Sequence, residues 1–178
     1  MIRYFNAEQI PATAKAFVQA ENLVARHFRL SEVDFRKNRY ELKTLAFLEK
    51  HEVKSGAFAH LCKYSYEKNT GQVSEEKGRF DFYRVCLQDN SILDALDRAN
   101  TFVKFAPLML YIAVHELIHV FRFANGTIDF NAPQEEKKQE EIIVHSLTRS
   151  ALQNVRQNDL EIVLDCFSNE YQIGDIYN

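Results

Sequence analysis

The middle of the chain contains a long apolar stretch with two histidines and a glutamate in its second half. Residues 105–123 read Phe-Ala-Pro-Leu-Met-Leu-Tyr-Ile-Ala-Val-His-Glu-Leu-Ile-His-Val-Phe-Arg-Phe. No glycine interrupts the stretch, and its one proline, Pro107, lies near the front, where a helix tolerates it. Asn125 and Gly126 then supply a stop signal. The stretch therefore predicts a single, largely buried helix.

The two histidines of this helix are four residues apart. That spacing places the imidazoles of His115 and His119 about one turn apart on nearly the same helical face. Two imidazoles so placed can bind one Zn²⁺, and Glu116 between them can act as general base on a metal-activated water. Matches to this short pattern also occur by chance, but burying these side chains in so apolar a helix is costly unless they are paired or ligated. We therefore interpret the pattern as a metal site.

Length and composition are those of a globular protein. The chain has 178 residues, which fits one domain over residues 1–178, with an N-terminal helical part (1–50) and a second part (51–178). Hydrophobic residues make up 46% and charged residues 26%, which argues against wholesale disorder. The net charge of −3 gives no electrostatic footprint for nucleic acid, so we expect no nucleic-acid partner.

Cysteine usage and the start of the chain favour a reducing compartment. Cys62, Cys86 and Cys166 are widely spaced and odd in number, which indicates neither a disulfide framework nor a four-cysteine zinc site. The first residues lack the apolar segment of a signal peptide, and the longest uninterrupted apolar run, 106–114, is too short to span a bilayer. We expect a cytoplasmic protein with no membrane partner.

Periodicity predicts an α+β fold, mostly helical, with a small antiparallel sheet and five or six helices. Helical spacing or capping signals favour helices at residues 7–29, 34–50, 91–98 (capped by Ser91), 105–124, 134–155 and 159–167. Alternation with aromatic and β-branched composition favours a hairpin of residues 58–66 and 80–87 around a polar connection, with 2–5 as a candidate third strand. Residues 127–133 are expected to be irregular.

A catalytic zinc usually has three protein ligands and an open position, so a third ligand is needed. The seven residues after His119 are Val-Phe-Arg-Phe-Ala-Asn-Gly, which excludes the His-x-x-Gly-x-x-His arrangement of metzincins. The other common solution takes a glutamate from a second helix some twenty or more residues downstream. Glu140 and Glu141 are both in the right place for that role.

Residues 105–155 resemble the gluzincin zinc metallopeptidases, in particular their small minimal members and those associated with phages and mobile elements. The resemblance rests on His115-Glu-Leu-Ile-His119 and on Glu141-Ile-Ile-Val-His145. In the family the downstream motif is typically Glu-x-x-x-Asp, where the Glu binds zinc and the residue four later can orient a zinc-bound His. This chain has His in place of that Asp.

The resemblance implies a zincin-like domain with Zn²⁺ held by His115, His119 and Glu141. Glu141 is favoured because His145 would then share its face as an outer partner of the site, while an apolar stripe below Glu140 keeps that residue in competition. Both acids can also be ordinary first-turn residues of their helix. His145 is a candidate catalytic residue, either as a ligand or as a donor to an oxyanion.

The function predicted from these motifs is peptide-bond hydrolysis by a cytoplasmic zinc metallopeptidase with Glu116 as general base. Its expected partner is a peptide or protein substrate, as with the dedicated regulatory substrates of phage-associated relatives, lying extended along a strand of the hairpin. Three hairpin tyrosines are candidates for stabilising the tetrahedral intermediate: Tyr64, Tyr66 and Tyr83.

Two alternatives of other classes stay open at this point. One is a degenerate zincin-like module that binds metal without catalysis. The other is a di-iron carboxylate oxidoreductase, suggested by Glu116-x-x-His119, although such proteins need a second motif of this kind and the spacing from Glu141 to His145 is one residue too long.

Overall fold

The computed structural model describes residues 1–37, 39–67 and 79–167, without the side chains of residues 36, 37, 67 and 79. Six α-helices and three strands lie in these ranges, which confirms the α+β class. In chain order they are α1 (Gln9–His27), α2 (Glu32–Lys37), β1 (Tyr40–Lys43), β2 (Ala59–Glu67), β3 (Arg79–Leu87), α3 (Asp89–Arg98), α4 (Phe105–Ala124), α5 (Gln134–Leu152) and α6 (Leu160–Cys166).

The sheet has β3 at its centre, in the order β1-β3-β2. Strands β2 and β3 pair antiparallel, with Ala59 opposite Leu87, so the predicted hairpin is confirmed. Its predicted connection, at 69–78, lies outside the described residues. Strand β1 pairs parallel to β3, with Tyr40 opposite Tyr83. The small sheet is therefore mixed: its predicted antiparallel pair is present, and β1, from a segment predicted to be helical, adds a parallel pair.

That segment is residues 34–50, where the predicted helix does not form. Helix α2 ends at Lys37, β1 follows, and two short 3-10 turns occupy Leu45–Phe47 and Lys50–Glu52. Tyr40 and Leu42 alternate with Glu41 and pack against the core from one face of the strand. The two-residue period of β1 covers only a short polar segment. The strand with which β1 pairs lies some forty residues further along the chain.

The predicted strand at residues 2–5 was also wrong, because side chains of α3 take its backbone donors. The amide of Arg3 donates to Asn90 Oδ1 and the amide of Phe5 donates to Asp89 Oδ2, each at 3.0 Å. Asp89 also accepts from the amide of Leu45 at 3.0 Å. Helix α3 therefore begins at Asp89, two residues before Ser91, the residue predicted to cap it.

Helix α4 is the core element, and it contacts α1, α5, α6, β2 and β3. Its buried residues are 107–115 and 117–120. By length and composition this helix could cross a membrane, but 72% of its apolar window is buried inside the protein, as expected of a core helix. It ends as the sequence predicts: Asn125 follows its last residue, and Gly126 has a φ of +75°, which glycine adopts without strain. The predicted helices that became α1, α5 and α6 are likewise confirmed, within a few residues at their ends.

Candidate metal centre

Helix α4 places the two motif histidines side by side beneath the surface. His115 and His119 are 2% and 5% exposed, and their Nε2 atoms are 3.2 Å apart. Both rings therefore present the same nitrogen to one point. The local reason is the uninterrupted helical period, which stacks residues four apart on one face.

Helix α5 brings a carboxylate to the same point. Glu141 Oε1 is 3.1 Å from His119 Nε2, and Glu141 Oε2 is 3.4 Å from His115 Nε2. Desolvation acts to raise the pKa of Glu141, but hydrogen bonds from the two imidazoles outweigh it and hold that pKa well below its usual range. The pKa of His119 is raised: burial acts to lower it, but the hydrogen bond between His119 and Glu141 outweighs burial. The three groups thus form one electrostatic unit.

The neighbouring acid, Glu140, points elsewhere. Its two carboxylate oxygens accept from Arg122 Nε at 2.6 Å and from Arg122 Nη2 at 2.9 Å, and the residue is 4% exposed. Neighbours on a helix point about 100° apart, so the two acids serve different partners. Arg122 lies on α4 and was missed in the sequence. The available signal was a single arginine in the last turn of an apolar helix, which needs an acid to pair with.

Glu116 lines the same cleft as the histidines and Glu141. Desolvation raises its pKa, and the nearby His115 and His119 act in the opposite direction. No side chain or amide among residues 1–37, 39–67 and 79–167 hydrogen-bonds its carboxylate. Its oxygens are thus available to accept a proton from a molecule in the cleft.

His145, one turn beyond Glu141 on α5, completes the polar group. Its Nδ1 is 2.7 Å from the hydroxyl of Tyr111, and its ring centroid is 4.7 Å from that of His115. Burial and the nearby His115 lower the pKa of His145 to about 4, so the ring is neutral at pH 7. Tyr111, four residues before His115 on α4, was not singled out in the sequence, although its spacing places it on the same face.

Several buried nitrogens of this cluster have no partner within the described part of the chain. They are Nδ1 of His115, Nδ1 of His119 and Nε2 of His145. Buried polar atoms are rarely left without hydrogen bonds, and metal, catalytic and water sites account for many of the exceptions. The expected hydrogen bond from His145 to a metal-binding histidine is absent among the described residues, since the ring bonds Tyr111 instead.

The donor geometry fits a zinc ion. Bonds of about 2.0–2.1 Å from tetrahedral zinc to nitrogen or oxygen place the ligand atoms about 3.3 Å apart. The three donor separations, between His115 Nε2, His119 Nε2 and the oxygens of Glu141, are 3.1, 3.2 and 3.4 Å. Two imidazoles and a carboxylate are also a donor set that catalytic zinc uses. The residues present therefore fit the group that the sequence implies.

The cleft above the cluster has a volume of about 630 Å³. Its walls are α4, α5 and residues 54–61, which lead into β2, an edge strand of the sheet. None of the three candidate hairpin tyrosines lines it. Tyr64 donates to Glu52, Tyr66 stacks on Phe80, and Tyr83 is buried.

No protein-family model, no curated protein and no solved structure matches this chain. The chemistry of the cluster therefore has to be inferred from its own atoms.

Proposed function

We propose that this chain is a zinc-dependent metallopeptidase of gluzincin type, with His115, His119 and Glu141 as zinc ligands. The observation that carries the proposal is the convergence of three donor groups, two imidazoles and a carboxylate, from two helices at separations of 3.1–3.4 Å. The carboxylate of Glu116 has no hydrogen-bond partner in the described part of the chain and lines the same cleft, which supports a hydrolytic role for the site.

The residues divide the chemistry between them. When bound, zinc supplies Lewis acidity and lowers the pKa of a coordinated water to near neutrality. Glu116 is desolvated and has no hydrogen-bond donor among the described residues. It would hold the proton of a water that attacks a peptide carbonyl, and would then deliver that proton to the leaving amine. His115, His119 and Glu141 hold their places throughout.

His145 is the group that we assign to the carbonyl oxygen of the substrate. Its Nδ1 is occupied by the Tyr111 hydroxyl, and a hydroxyl that donates to Nδ1 leaves the ring proton on Nε2. Nε2 is the buried atom without a partner in the described residues. An N–H held in place before the reaction stabilises negative charge as it develops on the substrate oxygen.

The substrate class is a peptide, taken in an extended conformation. Strand β2 is a sheet edge, and the residues that lead into it line the cleft, so a substrate backbone can pair alongside them. A dedicated regulatory protein in the cytoplasm is the partner that we propose.

Metal analysis and hydrolysis together test this function. Protein purified without added metal should contain zinc, and His115→Ala should contain about one equivalent less by elemental analysis. A mixture of unstructured peptides, read by mass spectrometry, should be cleaved by the parent, spared after chelator treatment and cleaved again after zinc is restored. Iron in place of zinc, or equal metal in parent and His115→Ala, would contradict the proposal.

A non-catalytic metal module is the second candidate, and one observation favours it. Donor atoms of His115, Glu141 and His145 all lie within 4.8 Å of one another, so His145 is within reach as a further ligand. Four protein ligands close a zinc site and leave no position for water. In that case His145→Ala would lower zinc affinity strongly, whereas an oxyanion donor would leave zinc affinity nearly unchanged and lower the rate.

A further inference from the structure

A second polar cluster lies on the sheet, and it contains sulfur. Cys62 on β2 and Cys86 on β3 are diagonal neighbours on one face, because Cys62 is opposite Arg84 and Cys86 is opposite His60. The two Sγ atoms and a carboxylate oxygen of Glu52 all lie within 4.8 Å of one another. Cys86 and Glu52 are fully buried.

A histidine extends this group. Nδ1 of His60 is 3.9 Å from Sγ of Cys62. Imidazole nitrogen is a zinc ligand, as are thiolate and carboxylate. Two thiols and a carboxylate thus surround one small volume, and the His60 ring lies beside it next to Cys62.

We propose that His60, Cys62, Cys86 and Glu52 form a second metal site, which binds a thiophilic divalent ion of the zinc class in a structural role. Thiolate, imidazole and carboxylate are all zinc ligands, and a set of four closes the coordination shell. Tetrahedral zinc with Zn–S bonds of about 2.3 Å holds two sulfurs about 3.8 Å apart. The two sulfurs lie within 4.8 Å of each other, so at most about one ångström has to close, which side-chain rotation can supply.

Charge balance supports a divalent ion. Two thiolates and the Glu52 carboxylate bring three negative charges to the site. Arg84 donates to Glu52 through Nη1, but it also pairs with Glu41, so this guanidinium alone does not offset them and a divalent ion would. Glu52 keeps acceptor capacity for the ion, because each carboxylate oxygen has two lone-pair sites and Oε2 accepts only from the amide of Glu49 within the described residues.

The two other uses of a cysteine pair fit less well. Diagonal residues on neighbouring strands have Cα atoms about 7–8 Å apart, beyond the usual range of a disulfide, so a bridge would require backbone movement. Burial raises the pKa of both thiols, so without a metal they are neutral and poor nucleophiles. A coordinated divalent ion removes the thiol protons itself.

The proposed site would tie β2 to β3 beside the cleft. His60 lines the cleft as well as facing the cysteines, and β2 is the strand along which a substrate would lie. A metal that bridges the two strands would therefore fix the wall of the cleft. The site shares no ligand with the His115 cluster, and it stands or falls independently of the proposed peptidase function.

Cadmium titration of the reduced protein tests the proposal, because thiolate-to-cadmium charge transfer absorbs in the near ultraviolet. The titration uses the Glu141→Ala variant, which lacks one ligand of the first proposed site. That site also contains no sulfur, so it cannot produce the band. We expect the absorption band to appear and to saturate with one equivalent. Cys62→Ala should abolish it, Cys166→Ala should leave it intact as the matched control, and His60→Ala should weaken cadmium binding at least about tenfold. No band in the reduced protein, or a band that survives Cys62→Ala, overturns the proposal.

A second measurement needs no substitution in the buried sheet. The reduced parent has three free thiols, and only Cys166 is exposed. Zn²⁺ should slow alkylation of Cys62 at least tenfold while the rate at Cys166 stays unchanged, since a coordinated thiolate is shielded from the reagent. Equal rates at Cys62 with and without Zn²⁺ would overturn the proposal even if the variants failed to fold.

Discussion

Two adjacent carboxylates of α5 stand in opposite surroundings. Glu140 accepts two hydrogen bonds from one edge of the Arg122 guanidinium, from Nε at 2.6 Å and from Nη2 at 2.9 Å. Glu141 meets two imidazoles, of His115 and His119, whose remaining ring nitrogens have no partner in the described residues. One carboxylate has a permanent cation built into the fold, and the other faces the Nε2 atoms of two imidazoles, which a bound cation would join to it.

The first pair joins α5 to α4 beside the second cluster. Arg122 follows His119 by three residues on α4, and its ion pair with Glu140 ties the two helices together at that point. A bidentate arginine–carboxylate pair is directional, which a contact between apolar side chains is not. Structural and chemical roles are thus separated by one residue along α5. The predictions below test that separation, from the largest expected effect to the smallest.

The largest effect is expected for Glu116→Gln. The amide keeps the shape of the side chain but cannot accept a proton at neutral pH, so peptide hydrolysis should fall by a factor on the order of 10² to 10⁴. Zinc content by elemental analysis should be unchanged, because Glu116 is not a ligand. Hydrolysis at the parent rate by a zinc-loaded Glu116→Gln protein would refute the mechanism.

Glu141→Ala should release the metal. Loss of one of three ligands should lower zinc affinity by more than the roughly 10- to 100-fold that is typical of losing an outer partner. Dialysis against a mild chelator, followed by elemental analysis, measures this loss. Glu140→Ala is the matched control and should retain the zinc that Glu141→Ala loses. The reverse result would assign the ligand to Glu140 and remove the basis of the comparison.

Glu140→Ala should instead destabilise the fold. The substitution removes the carboxylate that pairs with Arg122. The Arg122 side chain is only 15% exposed, so water cannot fully replace that partner. Breaking a buried pair costs about 3–5 kcal/mol, and partial exposure of the arginine reduces the expected loss to about 2–3 kcal/mol. Urea unfolding measures it. Replacing both partners, as Glu140→Leu with Arg122→Met, should recover most of the stability, and failure to recover it would mean that the pair does more than neutralise charge.

The sequence was sufficient for the features that depend on local spacing. Helix α4, its termination at Asn125 and the shared face of His115 and His119 all follow from a helical period that needs no distant partner. The choice between Glu140 and Glu141 does not, because it depends on how α5 is rotated against α4. In the structure that rotation pairs Glu140 with Arg122, a partner that cannot be identified from spacing alone.

The failed helix at residues 34–50 has a related cause. Residues Tyr40–Lys43 form a strand because β3 offers a free edge, and β3 lies some forty residues further along the chain. Within this short segment, the spacing of charged and apolar residues fits both the helical period and the two-residue period of a strand. The mixed sheet therefore depends on pairing between segments that are far apart in the sequence, which no local pattern predicts.

The smallest effect is expected for Tyr111→Phe, which tests whether His145 belongs to the chemical side of the comparison. The substitution removes only the hydroxyl that holds Nδ1 of His145, while the ring keeps its stacking on Phe167. The imidazole then exchanges between tautomers, and the fraction that carries a proton on Nε2 falls. We expect kcat to drop by about tenfold, with KM and zinc content nearly unchanged, since losses of this kind cost about 10- to 100-fold. His145→Ala should cost more in kcat and also leave zinc in place. A fall in zinc content with either variant, at constant kcat per bound metal, would instead make His145 a ligand and favour the closed, non-catalytic site.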